Sequence, residues 1–153
     1  MIARLAITLA AVVLLAACDD YHPPPAPADP DPTPADPLEA RIRARAPSEA
    51  PYMIRQGEAR HFTMSAGADA SYTLIVQSGL CYKVLAQGED AVGELDLFLY
   101  SASGVLVQED ASSGPSAILG SARPICPEDP VEYRVTLRTR GAGAVAAQLY
   151  ASP

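Results

Sequence analysis

Two histidines are the side chains of this sequence best suited to act as a general base, and neither is placed for catalysis. His22 lies among prolines, in a segment that cannot fix its position. His61 stands in a candidate strand, and the alternation of that strand predicts that it faces away from Phe62 and Met64. The sequence contains no Gly-x-Ser-x-Gly elbow, no phosphate-binding glycine loop and no zinc-protease motif. We therefore expect that the protein is not an enzyme.

A group of acidic residues is the second candidate for chemistry. Glu94 and Asp96 lie on one predicted strand, and Asp110 follows on the next, so a hairpin between the strands would bring their carboxylates together. Carboxylate oxygens are the ligands that Ca²⁺ prefers. The Asp-x-Asp-x-Asp-Gly loop is absent, and the alternative interpretation is a solvated acidic sheet edge. The expectation is a protein without a cofactor, in which Glu94, Asp96 and Asp110 are the candidate ligands if calcium binds.

Cys18 is the third candidate, because a cysteine thiolate is the natural nucleophile for forming a thioether bond. A basic residue, Arg4, and an apolar run from Leu5 to Leu15 precede it, which is the layout of a secretory signal peptide. The motif LAAC that ends at Cys18 resembles the lipobox of bacterial lipoproteins. That resemblance implies removal of a signal peptide over residues 1–17 and attachment of a diacylglyceryl group to Cys18. The alternative is an ordinary signal peptide that happens to be followed by a cysteine.

A lipid on Cys18 would anchor the protein in the bacterial cell envelope, with its folded part outside the cytoplasm. Two or three acyl chains give lasting membrane attachment, whereas a single chain holds only marginally. Asp19 does not decide between the inner and the outer membrane, because the sorting rule that reads this position differs between bacterial groups. The expected partners are therefore the membrane and an envelope protein or polymer.

Cys81 and Cys126 remain as a pair once Cys18 is assigned to the lipid. In an oxidising compartment they are expected to form a disulfide, and the alternative is two buried free thiols. A zinc site is disfavoured, because two cysteines without a nearby histidine supply only half of a ligand set.

Charge excludes one class of partner. Without Arg4, ten basic residues stand against eighteen acidic ones, so the mature chain has a net charge of −8. No basic patch with interleaved aromatic residues occurs, and we do not expect the protein to bind nucleic acid.

The segment 18–50 is predicted to be a tether. Eight of the fifteen residues from Pro23 to Pro37 are proline, and the segment lacks the large apolar residues that a core requires. Such a chain is disordered or extended as polyproline II. Leu38 and Ile42 have helical spacing within LEARIRARA, which permits a short helix ended by Pro47, although a further piece of linker is the favoured interpretation.

Residues 51–153 are predicted to form one all-β domain. Leu95, Leu97 and Leu99 point to the face opposite Glu94, Asp96 and Phe98, and VEYRVTLRT from Val131 to Thr139 shows the same period of two. AVAAQLY near the end of the chain alternates more weakly. Earlier candidate strands cover 59–64, 71–77 and 81–86, and a short one is expected at 117–119. Seven or so short strands indicate a small antiparallel β-sandwich.

Two glycine-containing turns are expected to join neighbouring strands as hairpins. SASG, Ser101 to Gly104, links Tyr100 to Val105, and Gly104 is free to adopt positive φ. RGAG, Arg140 to Gly143, is expected to join the last two strands in the same way.

These residues together resemble the bacterial pre-peptidase C-terminal domain over roughly 54–151. The resemblance is carried by a strand with Asp96, Leu97, Leu99 and Tyr100, by Gly104, by Asp110, and by a late Tyr-x-Val strand that contains Tyr133 and Val135. The sequence departs from this pattern at Glu94, where many members have Asp, and at Pro130, which replaces a glycine. The family implies a non-catalytic, jelly-roll-like β-sandwich that often accompanies secreted proteases.

The sequence thus predicts a lipid-anchored envelope protein with a signal peptide (1–17), a tether (18–50) and a sandwich domain (51–153) that acts by binding or as a structural module. One alternative is an accessory factor or inhibitor of an envelope enzyme such as a protease. Another is a calcium- or glycan-binding module, and exposed Tyr and Phe on a strand face would favour glycans.

Overall fold

The computed structural model describes residues 36–152, so the predicted signal peptide, Cys18, His22 and the proline tract lie outside the described residues. The described part of the chain contains one α-helix, one short 3₁₀ turn (Asp90–Val92) and eight β-strands. The helix is α1 (Pro37–Glu49), and the strands are β1 (Ile54–Met64), β2 (Asp69–Val76), β3 (Cys81–Gly88), β4 (Leu95–Ser101), β5 (Leu106–Asp110), β6 (Ser116–Leu119), β7 (Val131–Thr139) and β8 (Gly143–Ser152).

The strands form two four-stranded antiparallel sheets, which confirms the predicted all-β sandwich. The first sheet has the order β1-β8-β3-β6, and the second has the order β2-β7-β4-β5. Strand one pairs with eight, two with seven, three with six and four with five, as if one long hairpin had been rolled up. This is the jelly-roll arrangement, in which consecutive strands pass between two sheets.

The main core lies between the inner faces of the two sheets. Alternation dictates which residues enter it, because every second side chain of a strand points to the same face. Leu95, Leu97 and Leu99 of β4 are fully buried, as their spacing predicts, and Val135 and Leu137 of β7 lie beside them.

A second apolar cluster lies on the outer side of the first sheet, where α1 packs. Leu38 and Ile42 of α1 contact Leu85 of β3 and Ala146 and Tyr150 of β8, and all five residues are buried. The prediction that residues 38–50 belong to a linker is therefore wrong. The helix forms because its two apolar side chains meet a sheet whose outer positions are also apolar.

Local signals start the helix at its observed position. The side chain of Asp36 accepts hydrogen bonds from the backbone N–H of Leu38 at 2.7 Å and of Glu39 at 3.4 Å, so Asp36 is the N-cap. Pro37 occupies the first helical position, where its missing N–H costs nothing.

The turn at Ser101–Gly104 joins β4 and β5 as the predicted hairpin, with Gly104 at φ +83°. The second predicted hairpin is wrong, because β7 and β8 belong to different sheets and the segment after Thr139 crosses between them. Gly141 lies against the 3₁₀ turn and donates its N–H to the carbonyl of Val92 at 2.7 Å. A Cβ at this position would collide with the carbonyl oxygen of Ala91, so glycine allows the crossing to pack closely.

The sulfur atoms of Cys81 and Cys126 lie 2.01 Å apart, at disulfide-bond distance, in agreement with the predicted pairing. The bridge joins the start of β3 to the long connection between β6 and β7. Beside it, Tyr82 and Ile125 exchange two backbone hydrogen bonds of 2.8 and 2.9 Å. The connection is therefore held to the first sheet at this point.

Candidate functional site

The two sheets differ in what covers their outer faces. The outer face of the first sheet is packed under α1. The outer face of the second sheet is formed by the side chains of β2, β7, β4 and β5 that point away from the core. The helix packs on β3 and β8 of the first sheet. This second outer face, which we call the open face, is the candidate functional site.

A pair of aromatic rings occupies the centre of the open face. Phe98 and Tyr100 stand two residues apart on β4, so both rings point outward, and their centroids lie 6.4 Å apart with an interplanar angle of 29°. Both side chains remain partly exposed. Aromatic rings at such positions offer a flat apolar surface to a ligand.

Two arginines of β7 lie over these rings. The guanidinium carbon of Arg134 is 4.9 Å from the centroid of Tyr100, and that of Arg138 is 5.2 Å from the centroid of Phe98. Sheet register explains the contact, since Arg134 is the direct cross-strand neighbour of Tyr100. Both distances are within the range of a cation–π interaction.

Arg138 lies between two aspartates that have opposite electrostatic environments. Asp69 of β2 accepts two hydrogen bonds from Arg138, at 2.8 and 2.9 Å, and this contact lowers the pKa of Asp69 below its ordinary value. Asp96 of β4 lies on the other side, where partial burial and the charge of Glu94 raise the pKa of its carboxyl group. One oxygen of Asp96, Oδ1, is buried and accepts no hydrogen bond within residues 36–152.

The margin of the open face combines hydroxyl and apolar groups. Ser71 and Thr136 share a hydrogen bond of 2.8 Å across β2 and β7. On the other side, Val105, Leu106 and Val107 are 63%, 44% and 44% exposed, next to Tyr100. The face therefore presents aromatic, cationic, hydroxyl and aliphatic groups together, which suits binding more than proton transfer.

No known protein-family model matches this chain, and a search of curated proteins finds no match to it.

Two of the three acidic residues proposed as calcium ligands, Glu94 and Asp110, have other partners. Glu94 forms an ion pair with Arg140, and Asp110 accepts hydrogen bonds from the backbone N–H of Ser112 at 3.0 Å and of Ile118 at 2.6 Å. Asp96 lies beside Arg138, as described above. Within the described residues, no group of three or more His, Cys, Asp or Glu side chains is arranged to hold a metal ion.

The acidic residues nearby in sequence are also engaged elsewhere. Asp90 accepts a hydrogen bond of 2.8 Å from Arg41 of α1, and Glu89 accepts one of 2.9 Å from the backbone N–H of Ala144. Their carboxylates attach α1 and β8 to the 3₁₀ turn.

His61 faces the helix and not the core, as its strand position predicts. Its Nε2 lies 3.0 Å from Oε1 of Glu39, and its Nδ1 lies 3.9 Å from Oδ2 of Asp36. Both carboxylates belong to the start of α1, so His61 links β1 to the helix.

Sequence reasoning placed Phe98 on the outward side of β4 but did not identify the open face. The available signal was that LFLY puts two aromatic residues, Phe98 and Tyr100, at successive outward positions of an alternating strand. The partners Arg134 and Arg138 could not be assigned, because the pairing of β4 with β7 joins segments that are far apart in the sequence.

Among the described residues, no helix is long and apolar enough to cross a membrane.

Proposed function

We propose that this chain is a non-catalytic lipoprotein of the bacterial cell envelope, anchored through Cys18, whose β-sandwich binds a partner through the open face. The anchor is supported by the sequence around Cys18, with its preceding apolar run and small residues. The resemblance to the pre-peptidase C-terminal domain agrees with a jelly-roll sandwich and stays a prediction of family membership.

One observation carries the assignment of the binding surface. Phe98 and Tyr100 form a partly exposed pair that two arginines flank, on the sheet that α1 leaves uncovered. Aromatic residues and arginine are enriched at the energetic centres of protein interfaces, whereas most surface positions contribute little. The combination therefore distinguishes the open face from an ordinary solvated sheet.

A glycan is the ligand that the aromatic pair favours among the chemical classes considered for this surface. The apolar C–H faces of sugar rings pack on aromatic rings, and the sugar hydroxyls can donate hydrogen bonds to nearby carboxylates such as Asp96. Asp96 is partly exposed and lies on the same side of β4 as the aromatic pair, two residues from Phe98. A protein partner, such as an envelope enzyme that the chain assists or inhibits, is the competing outcome.

The test compares a double variant, Phe98→Ser with Tyr100→Ser, against Tyr52→Ser in the full chain. Tyr52 is 97% exposed and lies outside the open face, so it controls for the loss of an exposed aromatic ring. Purified peptidoglycan sacculi and envelope polysaccharide are the probes, in a co-sedimentation assay. We expect the double variant to bind at least about tenfold more weakly, because truncating one hot-spot residue costs more than about 1 kcal/mol, and the Tyr52 variant to bind normally.

Wild-type binding that the double variant retains would contradict the assignment of the open face. The absence of wild-type binding to every polysaccharide, with an envelope protein cross-linked to the open face, would replace the glycan by a protein partner.

The anchor is tested separately by the intact mass of the membrane-extracted protein. A polypeptide that begins at Cys18 and carries acyl mass is expected, and an unmodified cysteine would refute the anchor.

A further inference from the structure

The four edge strands of the sandwich are protected to different degrees. Edge strands expose unpaired backbone N–H and C=O groups, and proteins normally protect them with bulges, charges, short length or covering side chains. The edges of the first sheet are β1 and β6, and those of the second sheet are β2 and β5.

Three of these edges carry such protection. β6 has four residues, and its edge N–H groups at Ile118 and Gly120 donate to side chains of Asp110 and Gln108 at 2.6 and 3.0 Å. β5 has five residues, and its register with β4 shifts between Leu99 and Tyr100. β1 is interrupted by a register shift between Gln56 and Arg60.

The edge of β2 lacks these features. Its eight residues pair with β7 without a register shift, from Asp69 opposite Arg138 to Val76 opposite Val131. The single charged residue of β2, Asp69, stands at the start of the strand and is held by Arg138. From Ala70 to Val76 the strand is uncharged and rich in β-branched and aromatic residues, and Ile75 is 65% exposed.

We propose that β2 pairs antiparallel with β2 of a second copy of this chain, across a two-fold axis. Two directly opposed residues of paired strands must point to the same face of the sheet. The register must therefore place odd-numbered residues of one copy opposite odd-numbered residues of the other, and even-numbered opposite even-numbered. Registers centred on Tyr72 and on Thr73 overlap by the same seven residues, but only the register centred on Thr73 leaves the charged Asp69 outside the paired segment. It places Thr73 opposite its own copy and Tyr72 opposite Leu74, which are favourable cross-strand pairs, and it brings no like charges together.

A cleft beside β2 supports a second copy as the occupant. It has a volume of about 520 Å³ between β1 and β2, and Leu74, Ala147 and Leu149 form part of its lining. In the register centred on Thr73, Tyr72 and Leu74 of the second copy extend the inner apolar layer across the mouth of this cleft.

The charges at the cleft are self-complementary. Glu58 and Arg60 lie two residues apart on β1, and the guanidinium carbon of Arg60 is 4.8 Å from the ring centroid of Tyr72. The ion pairs found within residues 36–152 include neither residue. Two-fold interfaces require self-complementary surfaces, and a neighbouring pair of opposite charges meets this requirement when two copies face each other antiparallel.

Pairing of this kind joins two second sheets into one continuous eight-stranded sheet. The two open faces then lie side by side on a single surface, where a repetitive polymer can engage both at once. Such bivalent contact raises the apparent affinity without any new contact. This last consequence depends on the proposed function, whereas the pairing itself does not.

The first experiment measures the mass of the full chain in detergent by analytical ultracentrifugation. We expect two chains per particle for the wild type and one for Thr73→Lys, because a lysine on the edge faces its own copy across the axis. Val107→Lys, on the other edge of the same sheet, is the matched control and should remain dimeric. A monomeric wild type, or a Thr73→Lys variant that stays dimeric, would overturn the proposal.

The second experiment tests the register in intact membranes. Thr73→Cys should give a dimer on a non-reducing gel that disappears on reduction, since opposed residues of paired strands lie within disulfide distance. Ser103→Cys, in the exposed hairpin between β4 and β5, should remain monomeric. A dimer with Ser103→Cys and none with Thr73→Cys would refute pairing through β2. Polysaccharide binding by the wild type, measured separately from its mass, distinguishes a failure of this inference from a failure of the proposed function.

Discussion

Asp110, one of the candidate calcium ligands, also completes the hydrogen bonding of the backbone. Its two carboxylate oxygens accept hydrogen bonds from the N–H groups of Ser112 and Ile118. The N–H of Ile118 points out of the free edge of β6 and would otherwise lack a strand partner. A carboxylate is suited to this position because hydrogen bonds to a charged acceptor are strong.

We expect Asp110→Ala to lower the free energy of unfolding by about 1–3 kcal/mol, because it leaves a partly buried N–H without an acceptor. The loss should be the same in calcium and in EDTA. Glu109→Ala removes the same charge from the neighbouring exposed position and should change stability by less than about 0.5 kcal/mol. Urea unfolding of both variants measures the difference, and a loss seen only in the presence of calcium would restore the metal-site interpretation.

The contributions of Asp96 and Asp69 to the free energy of unfolding should change with pH in opposite directions. The raised pKa of Asp96 means that folding favours its protonated form, so its favourable contribution is present below pH 3.8 and is lost as the pH rises through the raised pKa. The lowered pKa of Asp69 means the reverse: its contribution is present above pH 3.8 and is lost as the pH falls through the lowered pKa.

Asp96→Asn should therefore stabilise the domain at neutral pH, and Asp69→Asn should destabilise it slightly. The difference for Asp96→Asn should shrink as the pH falls through the raised pKa towards 3.8, and the difference for Asp69→Asn should shrink as the pH falls below 3.8 through the lowered pKa. Thermal unfolding between pH 2.5 and pH 7 checks the signs. Destabilisation by Asp96→Asn at neutral pH would show that its carboxylate has a favourable partner.

At the scale of elements, strands were easier to predict than the helix. Alternating apolar residues identify β4 and β7 directly, since a strand with one buried face has a period of two. The helix has only two buried apolar side chains and follows a proline tract, so composition favoured a linker. Its start was nonetheless readable, because Asp36, Pro37 and Glu39 have the types and spacing of a capped helix N-terminus.

The outer face of the first sheet contained a second signal for the helix. AVAAQLY in β8 has no charged residue, although one face of an exposed strand should be polar. Ala146, Gln148 and Tyr150 are all buried on the outer side of β8. A strand that is apolar on both faces requires a cover, and α1 provides it.

We expect Ile42→Ala to destabilise the domain by about 2–5 kcal/mol, because it removes a fully buried side chain between the helix and the sheet. Ala44→Gln, at an exposed position of the same helix, should have little effect. Chemical denaturation of the two variants makes the comparison. Equal stability of Ile42→Ala and wild type would mean that α1 does not contribute to the folded domain in solution.

At the scale of the whole molecule, sequence patterns predict the class of the fold but not its connections. Ile54 pairs with Ala151, near the other end of the described chain. Periodicity marks both strands without indicating that they are neighbours. The segment 140–143 was predicted to form a hairpin for the same reason, since a glycine-rich turn looks alike whether it joins paired strands or crosses between sheets.

Loss of the disulfide is expected to destabilise the whole domain. In the chain-entropy model, a bridge with a sequence separation of 45 residues contributes about 4 kcal/mol. The double variant Cys81→Ser with Cys126→Ser should unfold at correspondingly lower urea concentration. Reductant should lower the urea midpoint of the wild type and leave that of the variant unchanged. An unchanged midpoint for a wild type whose bridge is fully reduced would contradict the expectation.

The bridge has a consequence for the response of the domain to proteolysis. A cut at the exposed tip of the β4–β5 hairpin, near Ser103, falls between Cys81 and Cys126, so the two fragments stay covalently linked. The first fragment supplies β1, β2, β3 and β4, the second supplies β5, β6, β7 and β8, and strands of the two fragments alternate in both sheets. Each fragment is thus interleaved with the other. A nicked molecule therefore keeps both fragments in place, through the bridge and through the shared sheets.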